Sequence, residues 1–196
     1  MANLCMTQYI IIGEKENIEK LYNHIKSFDA NDSSDISLCD LIKDIEQYTS
    51  IDSRGYIYHY ELFDTTLELF VESKWNGKHD VFELLNKKLC NNKLTINYKC
   101  SESGNEIFDI YNPSKVFPNN LCYFDNVGFL TSIDEGIHDM DIDDALNFWY
   151  NEVKDNIPND WSSKMSIDQK IDMVNNFLYP DDKYVVLYKY NYIDEI

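Results

Sequence analysis

Apolar residues in the first part of the chain follow two periodicities, one typical of strands and one typical of helices. A β-branched and aromatic run over residues 7–12 ends at Gly13 and predicts a strand. Apolar positions then recur at helical spacing over residues 18–28 and again over 38–48, with Ser37 placed to cap the second segment. The chain is therefore expected to begin with a strand followed by two helices.

Four further strands and one helix are predicted before residue 112. Residues 56–62 and 67–71 form two strands joined by the turn FDTT, and the alternation in the second indicates one buried sheet face. A helix with an apolar stripe follows over residues 80–89. LTINYKC over residues 94–100 alternates again, and residues 102–111 contain a turn and one more strand.

The order of these elements predicts an α+β fold. Up to residue 100 it is β-α-β-β-α-β with an extra helix after the first, which is the ferredoxin-like split βαβ arrangement. In this arrangement the helices cover one face of an antiparallel sheet, so the apolar sides of the helices and the apolar face of the sheet are buried against each other. We expect a ferredoxin-like domain over residues 1–112 and a C-terminal α/β extension over residues 113–196 packed on it. One continuous domain is also compatible with the pattern.

The C-terminal part is less regular than the first. A strand is expected within residues 121–130, followed by a helix capped by Asp141. Ser166 and Gln169 have the spacing of a capping box before a further helix, and a last strand is expected over residues 183–190. Two helices and two strands are thus expected here.

The charge of the chain narrows the classes of partner. Asp and Glu number 35 against 17 Lys and Arg, which gives a net charge of −18. Such a field repels nucleic acid and anionic lipid and attracts basic proteins, although plain solubility explains it equally well. Arg54 is the only arginine, which weakens any enzyme hypothesis that needs a bidentate arginine clamp. We expect a protein partner with a basic surface, no membrane partner and no direct nucleic-acid binding.

No motif in the sequence indicates a cofactor or a metal. The cysteines, Cys5, Cys39, Cys90, Cys100 and Cys122, are odd in number and form no CxxC pair. Neither a disulfide framework nor a closed zinc site is therefore expected, and reduced thiols in a cytoplasmic protein fit best. No zinc-binding histidine motif and no phosphate-binding glycine motif occurs, no signal peptide is predicted, and no apolar run approaches about 18 residues.

The connection VESKWNGKHDVFELL, residues 71–85, has two interpretations. Trp75, Lys74 and His79 could form a binding or catalytic cluster. Local geometry offers a structural role for four residues instead. Trp75 would fill part of the core and Gly77 would form the turn. Asp80 would cap the helix, with Glu83 as its capping-box partner. We favour the structural interpretation because backbone demands already account for each residue type.

The acidic run DEGIHDMDIDDA begins at Asp134 and suggests a second candidate site. Its alternating aspartates resemble a calcium loop, but the required Gly and Glu are replaced by Asp144 and Tyr150. Capping and the helix dipole explain acidic residues before a helix. If the run contacts a partner, the residues expected to do so are Asp134, Asp139, Asp141, Asp143 and Asp144.

Three segments resemble the YubB-type ferredoxin-like domain family of phages, plasmids and conjugative elements. They are MANLC leading through a strand and a glycine to EKENIEKLYNHI, the strand end FVESKW, and KKLCNNKLTINYKCSESGNEIF. Together they cover about residues 1–112. The resemblance implies a ferredoxin-like fold and a mobile-element setting, and it supplies no catalytic residues.

These observations favour a non-enzymatic accessory protein of a phage or mobile element that binds another protein. A more specific form is nucleic-acid mimicry, in which surface carboxylates take the place of phosphates on a host protein. Two alternatives stay open. One is an enzyme whose carboxylates and divalent ion are assembled from scattered residues, and the other is a tyrosine-rich sheet that stacks nucleic-acid bases.

Overall fold

The computed structural model describes residues 4–29, 35–45, 51–118, 120–127, 137–153, 164–178 and 184–193. Over these ranges the chain is mixed α and β, and it divides into two compact units. Unit 1 comprises Met1–Val116 and Asn191–Ile196, and unit 2 comprises Phe117–Tyr190. The boundary therefore falls after Val116 rather than after residue 112, and the chain returns to the first unit at its end.

Unit 1 is built on a seven-stranded sheet. With strands numbered along the whole chain, its members are β1 (Leu4–Ile12), β2 (Ile36–Ser37), β3 (Gly55–Phe63), β4 (Thr66–Lys74), β5 (Thr95–Glu102), β6 (Ile107–Tyr111) and β10 (Asn191–Tyr192). Their order across the sheet is β10-β6-β5-β1-β4-β3-β2. Each pairing is antiparallel except that of β10 with β6.

Among the described residues of unit 1, three α-helices pack against the sheet and complete its core. They are α1 (Lys15–Lys26), α2 (Leu38–Ile42) and α3 (His79–Cys90). Alternate strand residues and the apolar helix stripes meet in one buried cluster, whose fully buried members include Tyr9, Ile11, Ile18, Leu69, Val81 and Phe82. The helices therefore pack on the sheet face to which Tyr9 and Leu69 point.

The predicted order of elements in unit 1 is present, with α2 as the inserted helix. The second predicted helix is shorter than expected, because α2 ends at Ile42 and residues 43–45 are not helical; residues 46–48 of the prediction lie outside the described residues. Ser37 occupies the N-cap position, but its side chain makes no capping hydrogen bond. The short strands β2 and β10 carry too few residues for a periodic signal, and neither was predicted.

Over its described residues, unit 2 contains a three-stranded antiparallel sheet in the order β8-β7-β9 and two helices. The elements are β7 (Leu121–Val127), β8 (Ile137–Asp141), α4 (Ile142–Val153), α5 (Ile167–Leu178) and β9 (Tyr184–Lys189). Strand β8 was not predicted, because its polar, Asp-containing sequence has little strand character.

Both helix caps predicted for unit 2 are confirmed. The carboxylate of Asp141 accepts a hydrogen bond from the backbone N–H of Asp143 at 2.9 Å, at the start of α4. Ser166 and Gln169 form a reciprocal capping box before α5, with hydrogen bonds of 2.9 and 3.2 Å. Cap residues act on backbone groups within a few positions, which makes them visible in a single sequence.

The cysteines depart from the sequence-based expectation. Cys5 of β1 and Cys100 of β5 are joined as a disulfide, with Cα atoms 6.7 Å apart. The expectation of reduced thiols is wrong for this pair, because 95 residues of sequence separate two cysteines that neighbouring strands bring together. Cys39 is an exposed thiol, whereas Cys90 and Cys122 are buried thiols.

Candidate functional site

One face of the unit 1 sheet presents apolar and aromatic side chains to solvent. Leu4 and Met6 alternate with the buried residues of β1 and are 50% and 40% exposed. Tyr56 and Tyr58 of β3 are 50% and 45% exposed. Because successive strand residues point to opposite faces, these side chains lie opposite α1 and α3. We call the set Leu4, Met6, Tyr56, Tyr58 and Phe70 the open face.

A β-bulge adds an aromatic residue to the open face. The register between β3 and β4 shifts between Ile57 and His59, so Tyr58 is the extra residue. The rings of Tyr58 and His59 are both near that of Phe70, with centroid distances of 6.1 and 5.7 Å. The bulge therefore groups three rings on two adjacent strands.

Carboxylates border the aromatic part of the open face. Glu68 and Glu72 flank Phe70 along β4, and Glu61 of β3 is paired with Glu68. The Nε2 atom of Gln8 donates a hydrogen bond of 2.5 Å to Oε1 of Glu68. Aromatic residues surrounded by a polar rim are typical of protein–protein interfaces.

Trp75 is exposed, so the expectation that it plugs the core is wrong. The residue directly follows β4, has a φ of 76° and is 48% exposed. A positive φ is uncommon outside glycine, and here it ends the strand alternation that would have directed the side chain inward. Exposed tryptophans are over-represented among the residues that dominate binding energies.

Gly77 has the predicted place in the turn for a spatial reason. A Cβ atom there would overlap Cε1 of His79 and lie 2.8 Å from its Nε2 and 3.0 Å from Oγ1 of Thr7. The carbonyl of Gly77 also accepts a hydrogen bond from the hydroxyl of Tyr9. The ring of His79 occupies the space that a side chain at position 77 would need, and Thr7 of β1 borders it.

Helix α3 begins two residues earlier than a cap at Asp80 predicts. Lys78 is the N-cap, with a left-handed φ of 52°, and His79 is the first helical residue. Asp80 lies in the first turn, so its predicted role as the cap is wrong and its capping box with Glu83 is not formed. The left-handed residue turns the chain into the helix before Asp80 is reached, although the acidic side chain still complements the helix dipole.

A buried cation ties this connection to the segment before β3. The side chain of Lys78 is 1% exposed, and its Nζ donates to Oδ2 of Asp52 at 2.6 Å and to Oδ1 of Asn76 at 2.8 Å. Nε and Nη2 of Arg54 donate to the same carboxylate, each at 2.8 Å. Arg54 first, and then Lys78, holds the pKa of Asp52 well below its usual range. Two cations therefore share one ionised carboxylate.

The single hydroxyl proton of Tyr9 determines the tautomer of His79. That proton is donated to the carbonyl of Gly77, so Nδ1 of His79, 2.9 Å from the Tyr9 oxygen, must be the donor of the second bond. The imidazole stacks on Tyr98 with ring centroids 3.4 Å apart. Burial, and then Lys78, lowers the pKa of His79 to about 4, so the ring is neutral at pH 7.

This cluster fixes the connection and was invisible in the sequence. Tyr9 belongs to β1 and His79 to α3, and no local pattern links them. The sequence interpretation treated His79 as an isolated histidine in a structural joint. Of the four structural roles inferred from the sequence, only the turn position of Gly77 is present. The Tyr9 hydroxyl, which bonds the Gly77 carbonyl and Nδ1 of His79, holds the connection instead.

The acidic run is divided between a strand and a helix. Asp139 lies in β8, and its Oδ1 accepts a hydrogen bond of 2.7 Å from the hydroxyl of Tyr190. Asp141 caps α4, while Asp143 and Asp144 are exposed in its first turn. The structure therefore groups three of the five candidate residues at the start of α4.

Asp134, the first residue of that run, lies outside the described residues. Among the residues that the structure does describe, no group of three or more His, Cys, Asp or Glu side chains is placed to hold a metal ion. None of the described helices is long and apolar enough to cross a membrane.

Comparison with known proteins gives no family assignment for this chain. No protein-family model, curated protein or solved structure matches this chain.

Proposed function

We propose that this chain is a cytoplasmic, non-enzymatic accessory protein of a phage or mobile element that binds another protein. The open face is the surface that it uses. The observation that carries the proposal is the group of exposed rings on β3 and β4 within a border of carboxylates. Exposed apolar patches rimmed by polar residues mark interaction surfaces.

The connectivity of unit 1 supports a ferredoxin-like domain as the scaffold of this surface. Strands β5, β1, β4 and β3 are adjacent in that order and antiparallel, with α1 and α3 in the connections that cross the sheet. This order is the one expected of the split βαβ arrangement. Helices on one face leave the other face of such a sheet available for a partner.

The charge of the chain supports a basic partner. Glu61, Glu68 and Glu72 border the open face, and the whole chain carries a net charge of −18. Complementary potentials steer association and suppress wrong partners. Nucleic-acid mimicry remains the more specific form of the proposal, in which carboxylates of this chain occupy the phosphate sites of the partner.

Substitutions on the open face test the proposal. The double variant Met6→Ser/Tyr58→Ser should weaken binding to a protein captured from host lysate by about 30-fold or more, as expected when interface hot spots are lost. Tyr192→Ser is the matched control, because Tyr192 is 47% exposed on β10 at the other end of the sheet. Equal affinity of both variants for the captured protein would remove the open face as the binding surface.

Base stacking is a second candidate function, favoured by the grouping of Tyr58, His59 and Phe70. The net charge of −18 opposes it, because nucleic-acid affinity depends on neutralising phosphates. A fluorescent single-stranded oligonucleotide is expected to remain unbound by the wild-type chain at physiological salt. Binding that is lost in Tyr58→Ser would establish this function instead.

Carboxylates at the start of α4 should accelerate association if they face the partner. Asp143→Asn/Asp144→Asn removes two exposed charges and leaves Asp139 with Tyr190 and Asp141 as the cap. We expect a lower association rate, and a weaker dependence on salt up to 0.15 M, where the Debye length is about 8 Å. An association rate that responds to neither change would leave this acidity as a source of solubility.

A further inference from the structure

A pocket of about 310 Å³ lies in unit 1, where β3 begins and β4 ends. Its walls include Leu4, Cys39, Arg54, Tyr56, Glu72 and Lys74. Small-molecule sites usually have volumes of about 300–1,000 Å³ and combine apolar walls with a few placed polar groups. The backbone N–H of Lys74 donates to the carbonyl of Arg54 at 3.1 Å, which joins the two cationic residues of the wall.

Positive charge predominates around this pocket, in contrast to the chain as a whole. Arg54 and Lys74 line it together with one carboxylate, Glu72. Asp52 binds both Arg54 and the buried Lys78, so three cations accompany two carboxylates. The bidentate contact with Asp52 uses Nε and Nη2 of Arg54, and it holds the guanidinium in one orientation.

The remaining walls suit a ligand with both a phosphate and a flat apolar part. Ser37 and Ser53 also line the pocket, and serine hydroxyl groups can act as neutral donors beside the two cations. Tyr56 and Leu4, each half exposed, supply a ring face and an aliphatic surface. Arginine with a second cation matches the several oxygens and the dianionic charge of a phosphomonoester better than a single carboxylate does.

We propose that this pocket binds a small phosphomonoester with a flat heterocyclic group, of the nucleoside monophosphate class. Arg54 and Lys74 hold the phosphate, and Tyr56 stacks on the ring. Glu72 accepts hydrogen bonds from ligand hydroxyl groups. The proposal is independent of protein binding, although Leu4 and Tyr56 also belong to the open face, so the test uses the purified chain without a partner.

Cys39 provides a reporter in the wall of the pocket. It is an exposed thiol, while Cys90 and Cys122 are buried and Cys5 is joined to Cys100. A fluorescent maleimide should therefore label Cys39, and Cys39→Ser establishes which thiol reacts. Adenosine 5′-monophosphate should slow labelling in a saturable way, inorganic phosphate should do so only at higher concentration, and adenosine should have the least effect.

Two variants separate the phosphate contact from the stacking contact. Arg54→Gln should weaken protection by adenosine 5′-monophosphate roughly 10- to 100-fold, the range for loss of a charged hydrogen bond. Tyr56→Leu should weaken it less and leave protection by inorganic phosphate unchanged. Lys15→Gln, a change at an exposed lysine on α1, is the control. Titration calorimetry repeats each comparison without the label, and the melting curve verifies that each variant is folded.

Failure would be unambiguous. Labelling rates that are insensitive to all three compounds at millimolar concentration, together with no calorimetric signal, would overturn the proposal. Equal protection by wild type and Arg54→Gln would overturn it as well, because the phosphate would then be held elsewhere.

Discussion

Lowering the pH from 7 to 4 is expected to remove about 3 kcal/mol of folding stability through His79 alone. Its pKa falls from about 6.5 in the unfolded chain to about 4 in the folded protein, where the ring is buried and next to Lys78. Between these values the unfolded chain binds more protons than the folded protein. The contribution of His79 is therefore complete above pH 6.5, and it is lost as the pH falls through 4.

His79→Asn isolates this contribution from those of other groups. Asparagine does not titrate, and its amide can replace the Nδ1–H donor to the hydroxyl of Tyr9. Urea unfolding of both proteins at pH 7, 6, 5 and 4 gives the difference between their unfolding free energies. The contributions of other titrating groups, such as Asp52 and Asp109, are the same in both proteins and cancel in this difference. The difference should shrink progressively below pH 6.5. Parallel stability curves for the two proteins would show that His79 is not held neutral.

Phe82→Ala should cost about 3–5 kcal/mol, whereas Trp75→Ala should change stability by no more than about 0.5 kcal/mol. Phe82 is fully buried with its ring centroid 4.4 Å from that of Tyr9, so its removal leaves a cavity in the core. Trp75 is 48% exposed, so its removal should leave no enclosed cavity. Denaturant unfolding of the two variants measures both values side by side.

The same two variants separate stability from binding. Trp75→Ala should retain the melting curve of the wild type and lose affinity for a partner, since exposed tryptophans are common hot spots. A loss of several kcal/mol in Trp75→Ala would instead restore the core role that its sequence position suggested.

Local patterns predicted much of the fold because they act over a few residues. Alternation in β4 and helical spacing in α3 each reflect one buried face, and both elements lie where the sequence placed them. The capping box of Ser166 and Gln169 is another interaction of short range. Such features depend on sequence neighbours, so a single sequence contains the necessary information.

The site eluded sequence analysis where backbone conformation or distant contacts decide the outcome. Trp75 and Lys78 both have a positive φ, which no residue-type preference indicated. Trp75 is consequently exposed, and the N-cap of α3 lies at Lys78 rather than at Asp80. The pairing of Cys5 with Cys100 depends on neighbouring strands that are far apart in sequence. The place of Tyr58 on the open face could not be predicted either, because it depends on the β-bulge at that residue.

The position of β10 has a consequence for how the chain can be divided. The chain leaves unit 1 after β6, forms unit 2, and returns so that Asn191 pairs with Asp109 and Tyr192 with Ile110. Unit 2 is thus an insertion between two adjacent strands, tethered to its host at both ends. Removing residues 191–196 would take a strand from the sheet of unit 1 and leave unit 2 in place. Replacing residues 117–190 with a short flexible linker should instead keep every strand of the unit 1 sheet. Shortening this protein cleanly therefore means excising its middle and keeping both ends.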